Sequence, residues 1–95
     1  MDVSSVEFSK HALEKMGARH VREDQVTETI RNPASLFEDV ESNTLVALKR
    51  IRNRYLVVVF ALRGNKAKVV TVYHASEVDS LIRRKLHRGA WRQKA

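Results

Sequence analysis

A histidine and a lysine lie four residues apart near the start of the chain, at His11 and Lys15. If this segment is helical, their side chains lie on the same side, one turn apart. His11 then falls in the first turn, where free backbone N–H groups and the positive end of the helix dipole favour a phosphate. An imidazole with its ordinary pKa of about 6.5 carries protons in either direction near neutrality. The pair therefore indicates proton transfer at a phosphate. The alternative is that His11 caps its own helix or hydrogen-bonds to a sheet backbone.

The two halves of the chain differ strongly in charge. Residues 1–47 hold five basic and nine acidic side chains, whereas residues 48–95 hold thirteen basic side chains and two acidic ones. Clustered Lys and Arg release counterions from phosphate backbones, so this asymmetry predicts a surface that faces a polyanion. The alternatives are a surface that only keeps the protein in solution, and one that meets an acidic protein partner.

Basic residues in two regions are candidates for nucleic-acid contacts. Arginines at alternate positions flank a predicted turn after residue 52, and the segment 83–94 interleaves basic residues with a single tryptophan. Such a segment suits phosphate neutralisation combined with base stacking. The alternative for the arginines around residue 52 is a solvated edge of the sheet. The alternatives for segment 83–94 are an amphipathic helix that covers the sheet and a core position for the tryptophan. The predicted nucleic-acid-binding residues are Lys10, Arg50, Arg52, Arg54, Arg83, Arg84, Lys85, Arg88, Trp91 and Arg92.

Metal and cofactor motifs are not found in the sequence. The four histidines show no His-x-x-x-His spacing, and no Asp or Glu cluster joins them at ligand spacing. A phosphate-binding glycine loop, a G-x-S-x-G elbow and a cysteine nucleophile are also lacking. We therefore predict neither a metal site nor a cofactor. RNA cleavage without metal instead needs a base for the 2′-hydroxyl, an acid for the leaving 5′-oxygen, and cations for the phosphate.

The elements that must position these residues are predicted from periodicity and turn signals. Ser9 is a predicted N-cap for a helix over 10–16 with Gly17 at its C-terminal end, and a second helix over 23–31 ends at Asn32-Pro33. Two-residue periodicity then predicts a meander whose third strand is apolar on both faces and therefore central. Residues 3–8 read as a short strand or an extended lead-in. The predicted strands span 35–40, 44–52, 54–62 and 67–74, followed by a helix over 76–88.

This order predicts an α+β fold, in which two N-terminal helices pack on a four-stranded antiparallel meander and a basic C-terminal helix follows. We expect one domain over 1–88 with a basic tail over 89–95. The chain lacks cysteine, a signal-peptide pattern and an apolar run long enough to span a membrane. These features predict a soluble cytoplasmic protein that does not associate with membranes.

Several segments resemble a family of small prokaryotic and viral domains. Members of this family begin with F-[ST]-x-H-A, followed by a basic residue before Met and by an arginine a few positions later. Residues 8–16 of this chain are similar to that opening, with the sequence F-S-K-H-A-L-E-K-M. Residues 21–33 resemble the family's second helix, which ends at Asn-Pro, and 54–59 and 69–73 resemble its last two strands. The resemblance covers about residues 6–74. It extends to RelE/ParE-type toxins of the barnase–EndoU–colicin–RelE group of metal-independent ribonucleases.

The resemblance implies a RelE/ParE-like fold and an RNA-directed activity. It assigns His11 as general acid or base, Lys15 and Arg19 as phosphate-stabilising cations, and Thr71 and Tyr73 as residues that orient substrate or share proton transfer. Alternation along the last strand places Thr71 and Tyr73 on one face, where the alternative is ordinary strand packing. Lys15 stands where the family usually has arginine, which keeps the charge but loses the bidentate geometry.

From these features we predict an RNA-binding protein that is a metal-independent ribonuclease toxin of a toxin–antitoxin pair. Its predicted partners are RNA or another nucleic acid, an acidic antitoxin protein and a second copy of itself. A non-catalytic nucleic-acid-binding module is the first alternative, and it predicts salt-dependent binding without cleavage products. A protein-interaction domain that uses the basic surface is the second.

Overall fold

A six-stranded mixed sheet forms the centre of the protein in the computed structural model, which describes residues 1–94. Three helices pack on it. The elements in chain order are β1 (Ser5–Phe8), α1 (Lys10–Arg19), α2 (Glu23–Arg31), β2 (Ser35–Asp39), β3 (Thr44–Ile51), β4 (Arg54–Arg63), β5 (Lys66–Ala75), α3 (Val78–His87) and β6 (Trp91–Gln93).

The predicted α+β class is confirmed, but the layout of the sheet differs from the prediction. The strands lie in the order β1-β5-β4-β3-β2-β6, so the predicted four-stranded meander is present with β4 inside the sheet. β1 extends it by pairing parallel with β5, and β6 extends the other edge by pairing antiparallel with β2. The sheet is therefore mixed rather than purely antiparallel.

The segment predicted as a tail over 89–95 contributes the strand β6. Trp91 pairs with Asp39 and Gln93 with Phe37, and Lys94 N–H donates to the Leu36 carbonyl at 2.8 Å. Ala95, the last residue of the predicted tail, lies outside the described residues. The signal for this strand was weak because the only large apolar side chain in it is Trp91.

Each face of the sheet carries its own apolar core. On one face α1 and α2 contribute Met16, Val26 and Ile30, which pack with Leu56 and Phe60 of β4. On the other face the core includes Phe37, Leu48, Val57 and Trp91, against which Leu81 and Ile82 of α3 pack. No helix among residues 1–94 is long and apolar enough to cross a membrane.

The end of α1 differs from the prediction because the helix continues through Gly17. It ends at Arg19, and His20 adopts the left-handed conformation with φ 57°. Val21 N–H donates to the Met16 carbonyl at 2.9 Å, and both side chains belong to the same core. This bond and apolar contact form a Schellman-type ending, in which His20 occupies the position usually taken by glycine. The longer helix brings Arg19 into its last turn.

The sheet has an irregularity within the β4–β5 pair and another at the β3–β4 turn. The register of β4 and β5 shifts between Val59, which pairs with Thr71, and Phe60, which pairs with Val69. Val70 is the extra residue of this bulge, so it does not continue the simple alternation predicted for the strand. At the β3–β4 turn, Arg52 lies beyond the end of β3 with φ 61°.

Candidate nucleic-acid interface

Ser9 fixes α1 against β5 and thereby sets the position of every cation on the helix. Its hydroxyl accepts a hydrogen bond from Ala12 N–H at 3.0 Å, which confirms it as the N-cap. The same hydroxyl donates to the Val70 carbonyl at 3.1 Å, and Ser9 N–H donates to the Val69 carbonyl at 3.0 Å. α1 therefore runs beside the part of β5 that continues past β1, with Lys15 and Arg19 along it.

A strongly basic pocket, hereafter the cationic pocket, opens between the end of α1, the start of α2 and the β3–β4 turn. Its volume is about 300 Å³, at the lower end of the range of small-molecule sites. Among residues 1–94, no acidic side chain lines it. Val21, Ile51 and Leu56 supply apolar lining, and its charged or titratable residues are Arg19, His20, Arg22, Arg52, Arg54 and His74.

Backbone strain is concentrated at the cationic pocket. Among residues 1–94, three residues other than glycine have a positive φ, and two of them, His20 and Arg52, line this pocket. Left-handed backbone costs an ordinary L-residue about 1–2 kcal/mol, and such strain tends to occur at functional sites. Arg50 stabilises one of these turns, because its Nε donates to the Arg52 carbonyl at 3.0 Å.

A second pocket, hereafter the edge pocket, adjoins the first where β5 runs past α1. It is lined by Lys15, Arg19, Arg54, Thr71, Val72, Tyr73 and His74. The two pockets share Arg19, Arg54 and His74. Two arginines and a histidine thus stand where the pockets meet, a grouping suited to holding a phosphate between planar guanidinium donors.

A family model for a domain of unknown function, DUF4258, matches residues 8–74, which is more than half of the chain. The chain belongs to this family. No curated protein and no solved structure shows a significant match.

The DUF4258 segment contains the complete lining of both pockets and ends at His74. Helix α3 and strand β6 follow the matched segment. The description of the family as a domain of unknown function assigns no activity to these pockets.

His74 is a residue of the DUF4258 segment that lines both pockets, and the sequence analysis gave it no role. Its Nδ1 atom is buried and has no hydrogen-bond partner among residues 1–94. Burial lowers the pKa of His74 and the nearby charge of Arg54 lowers it further, whereas a hydrogen bond with the Arg19 backbone acts in the opposite direction. The imidazole is therefore neutral at pH 7.

The lowered pKa of His74 predicts a loss of stability in mild acid. Between the folded-state pKa and 6.5, the ordinary value, the unfolded chain binds a proton that the folded protein does not. The free energy of unfolding therefore falls as the pH is lowered through this window. We expect an NMR titration of the His74 ring to show a midpoint below 6.5, and His74→Gln to reduce the acid sensitivity seen in urea denaturation. A midpoint at or above 6.5 would contradict the burial argument.

Tyr73 supplies a hydroxyl that stays protonated. Burial raises the pKa of this phenol, the negative charge of Asp39 raises it further, and Arg84 opposes the effect. The phenol of Tyr73 therefore keeps its proton at neutral pH and is able to donate a hydrogen bond. Among residues 1–94, no group of three His, Cys, Asp or Glu side chains is placed to hold a metal ion.

Four of the five predicted catalytic residues come together in the edge pocket: Lys15, Arg19, Thr71 and Tyr73. His11 does not line either pocket. It lies exposed in the first turn of α1, one turn before Lys15, and Ser9 rather than His11 caps the helix. Lys10 is also exposed at the start of α1.

The predicted arginine group of the β3–β4 region divides into two parts. Arg52 and Arg54 line the cationic pocket, and Arg54 also lines the edge pocket. Arg50 lies in β3, outside both pockets, and acts on the turn through its bond to Arg52.

The cations of the C-terminal segment lie on or after α3, and several are already paired. Arg88 lies 3.9 Å from Glu41 and Arg92 lies 2.9 Å from Glu38, while Lys85 stands 5.7 Å from the Trp91 ring centroid. Arg83 and Arg84 are exposed. Trp91 is only 3% exposed and stacks on Phe37. It therefore occupies a core position, the alternative raised by the sequence, and its ring is not free to stack on a base.

Sequence reasoning also left out two further residues of the cationic pocket. His20 is exposed and lies at the left-handed end of α1, where it lines the pocket. Arg22 lines the pocket while its Nε contacts Asp24 at 3.0 Å, and this hydrogen bond lowers the pKa of that carboxyl. The charge of Arg22 is thus partly offset, which leaves Arg19, Arg52 and Arg54 as the main unpaired cations of this pocket.

Proposed function

We propose that this protein binds RNA, with the phosphate backbone held where the cationic and edge pockets meet. The observation that carries the proposal is that both pockets share Arg19, Arg54 and His74 and that no acidic side chain among residues 1–94 lines either one. Guanidinium groups bind phosphate through paired, charge-assisted hydrogen bonds, and their release of counterions adds sequence-independent affinity.

The shape of the site supports an extended polyanion over an isolated small anion. The two pockets adjoin, so a ligand with repeated phosphates can occupy both at once while a single phosphate fills only their junction. The resemblance of the chain to RelE/ParE-type toxins favours RNA over other polyanions.

Metal-independent cleavage of the bound RNA is the second candidate function, favoured by the neutral imidazole at the junction. In this candidate, His74 would accept the proton of a 2′-hydroxyl as this oxygen attacks phosphorus, because it lines the pockets in which the phosphate would lie. The bond from phosphorus to the 5′-oxygen then breaks, and Tyr73 or Lys15 carries a proton that can be transferred to the leaving oxygen. Arg19 and Arg54 would offset the charge that develops on the phosphate.

A toxin role with an acidic antitoxin, and a homodimer, stay predictions from the sequence. The exposed basic residues of α3 are the surface that would suit an acidic partner. Such a partner would compete with RNA only where it covers the two pockets.

The proposal is tested with purified protein, mixed RNA and excess chelator. We expect RNA to bind at low salt and its affinity to fall steeply as salt is raised. If cleavage occurs, His74→Gln should slow it by about a hundredfold or more, the usual contribution of a general acid or base. His87→Gln is the matched control, because His87 lies exposed in the last turn of α3.

The outcomes separate the candidate functions. If RNA stays intact but binds in a salt-dependent manner, the protein is a binding module without catalysis. If cleavage is lost in His11→Ala but kept in His74→Gln, the proton transfer takes place at α1 instead. Absence of binding at low salt would overturn the proposed function.

A further inference from the structure

A third pocket continues from the same histidine toward α3. It lies between the end of β5 and the first turns of α3, and its lining includes His74, Ser80 and Arg84. We call it the α3 pocket. His74 thus lines all three pockets, and the row of pockets passes from the α1 and α2 side of the sheet, round the end of β5, to the side covered by α3.

We propose that the three pockets form one track for a single RNA strand, which turns round the end of β5 at His74 and places a further phosphate against Arg84. This inference rests on the proposed function and adds to it the strandedness of the ligand and the direction in which it leaves the site. It also identifies Arg84 as the contact that extends the site beyond the DUF4258 segment.

Among the C-terminal cations that the structure describes, Arg84 combines an unpaired charge with a place in the lining of the α3 pocket. Arg88 and Arg92 face Glu41 and Glu38, whereas Arg84 has no ion pair among residues 1–94. The edge pocket and the α3 pocket share His74, so a strand that leaves the edge pocket at this residue next meets the lining that includes Arg84. Glu77 also lines the α3 pocket, and we expect a phosphate to bind toward Arg84 and away from this carboxylate.

The turn of the track selects a single strand. The whole molecule measures 31 × 31 × 22 Å, whereas duplex nucleic acid of the DNA type stays nearly straight over lengths on the order of 500 Å. A duplex cannot follow a path that crosses from one face of a sheet to the other within one end of this protein. A single strand bends freely and can follow a basic groove along its backbone.

The test compares oligonucleotides by fluorescence anisotropy at low salt. The probes are 2′-O-methyl oligo-uridines of two and six nucleotides, which cannot be cleaved at the 2′-position, and a blunt 2′-O-methyl duplex. We expect the six-nucleotide strand to bind more tightly than the duplex. Arg84→Ala should weaken binding of the six-nucleotide strand about tenfold, the value for one charge-assisted contact, and leave binding of the dinucleotide almost unchanged.

Two variants provide the comparison. Arg83→Ala makes the same charge change one residue earlier on α3, outside the three pockets, and should weaken binding of the longer strand much less. Arg54→Ala should weaken binding of both oligonucleotides because Arg54 lines the first two pockets. Equal binding of duplex and single strand, or equal effects of the Arg83 and Arg84 variants, would overturn the track. Failure of the unmodified protein to bind either oligonucleotide would overturn the RNA-binding function as well.

Discussion

Arg54→Ala is expected to weaken RNA binding by about tenfold to a hundredfold. Arg54 stands where the cationic and edge pockets meet, and its side chain is exposed at the first position of β4. Loss of a hydrogen-bonded contact to a charged group costs about 1.5–3 kcal/mol. Because the side chain is exposed, we expect the variant to keep its stability.

The salt dependence of binding distinguishes a phosphate contact from a general loss of charge. Removing one contact to a single strand should reduce the slope of log affinity against log salt by about 0.7. Arg63→Ala is the matched control, since Arg63 is the exposed last residue of the same strand, at the end away from the two pockets. An equal loss of affinity in both variants would indicate diffuse electrostatic attraction and would remove Arg54 from the site.

Trp91→Ala is expected to lower the free energy of unfolding by about 3–5 kcal/mol, as large aromatic truncations in cores do. The ring is 3% exposed, and its centroid lies 5.2 Å from that of Phe37. The backbone of Trp91 pairs with Asp39 of β2, so the ring packs into the core where β6 joins the sheet. Because small domains have only about 5–15 kcal/mol of stability in total, urea denaturation should show a large shift.

Trp91→Phe is the control variant, because it keeps an aromatic ring in the core while it reduces the size of the ring and removes its N–H group. The indole Nε1 is buried and has no hydrogen-bond partner among residues 1–94, so removing it sacrifices no bond. We therefore expect a clearly smaller loss of stability than in the alanine variant. Trp91 is the sole tryptophan of the chain, and its fluorescence should not change when RNA binds. Strong quenching by RNA would instead support the base-stacking role predicted from the sequence.

The meander could be predicted from the sequence because its evidence is local. Two-residue periodicity indicates β2, β3 and β5, a continuous apolar run indicates β4, and Gly64 marks the β4–β5 turn with a φ of 60°. The two edge strands depend on partners far along the chain. β1 has four residues and pairs with β5, while β6 has three and pairs with β2, so neither carries enough periodicity of its own.

The positive charge of the candidate site could be predicted from the sequence, but which residues the fold brings together in the pockets could not. The basic second half of the chain pointed to Arg52 and Arg54, and the resemblance pointed to Lys15 and Arg19. His74 was missed because alternation assigns it only to the face that carries the buried Val72. The place of His74 in the pocket lining depends on where α1 ends, because Arg19 in the last turn lies beside it. The left-handed His20 and the buried Val21, rather than Gly17, end this helix.

The attachment of α1 to β5 also determines when the pockets can exist during folding. Short turns close the hairpins of the meander, whereas Ser9 must meet Val70, 61 residues further along the chain. Closing a longer loop costs more conformational entropy, and pairings between distant segments slow folding. A chain in which only the meander has formed therefore holds Arg54 and His74 in one sheet but lacks Lys15 and Arg19 beside them. Such an intermediate would hold Arg54 and the β5 side of the edge pocket without the two cations that α1 contributes.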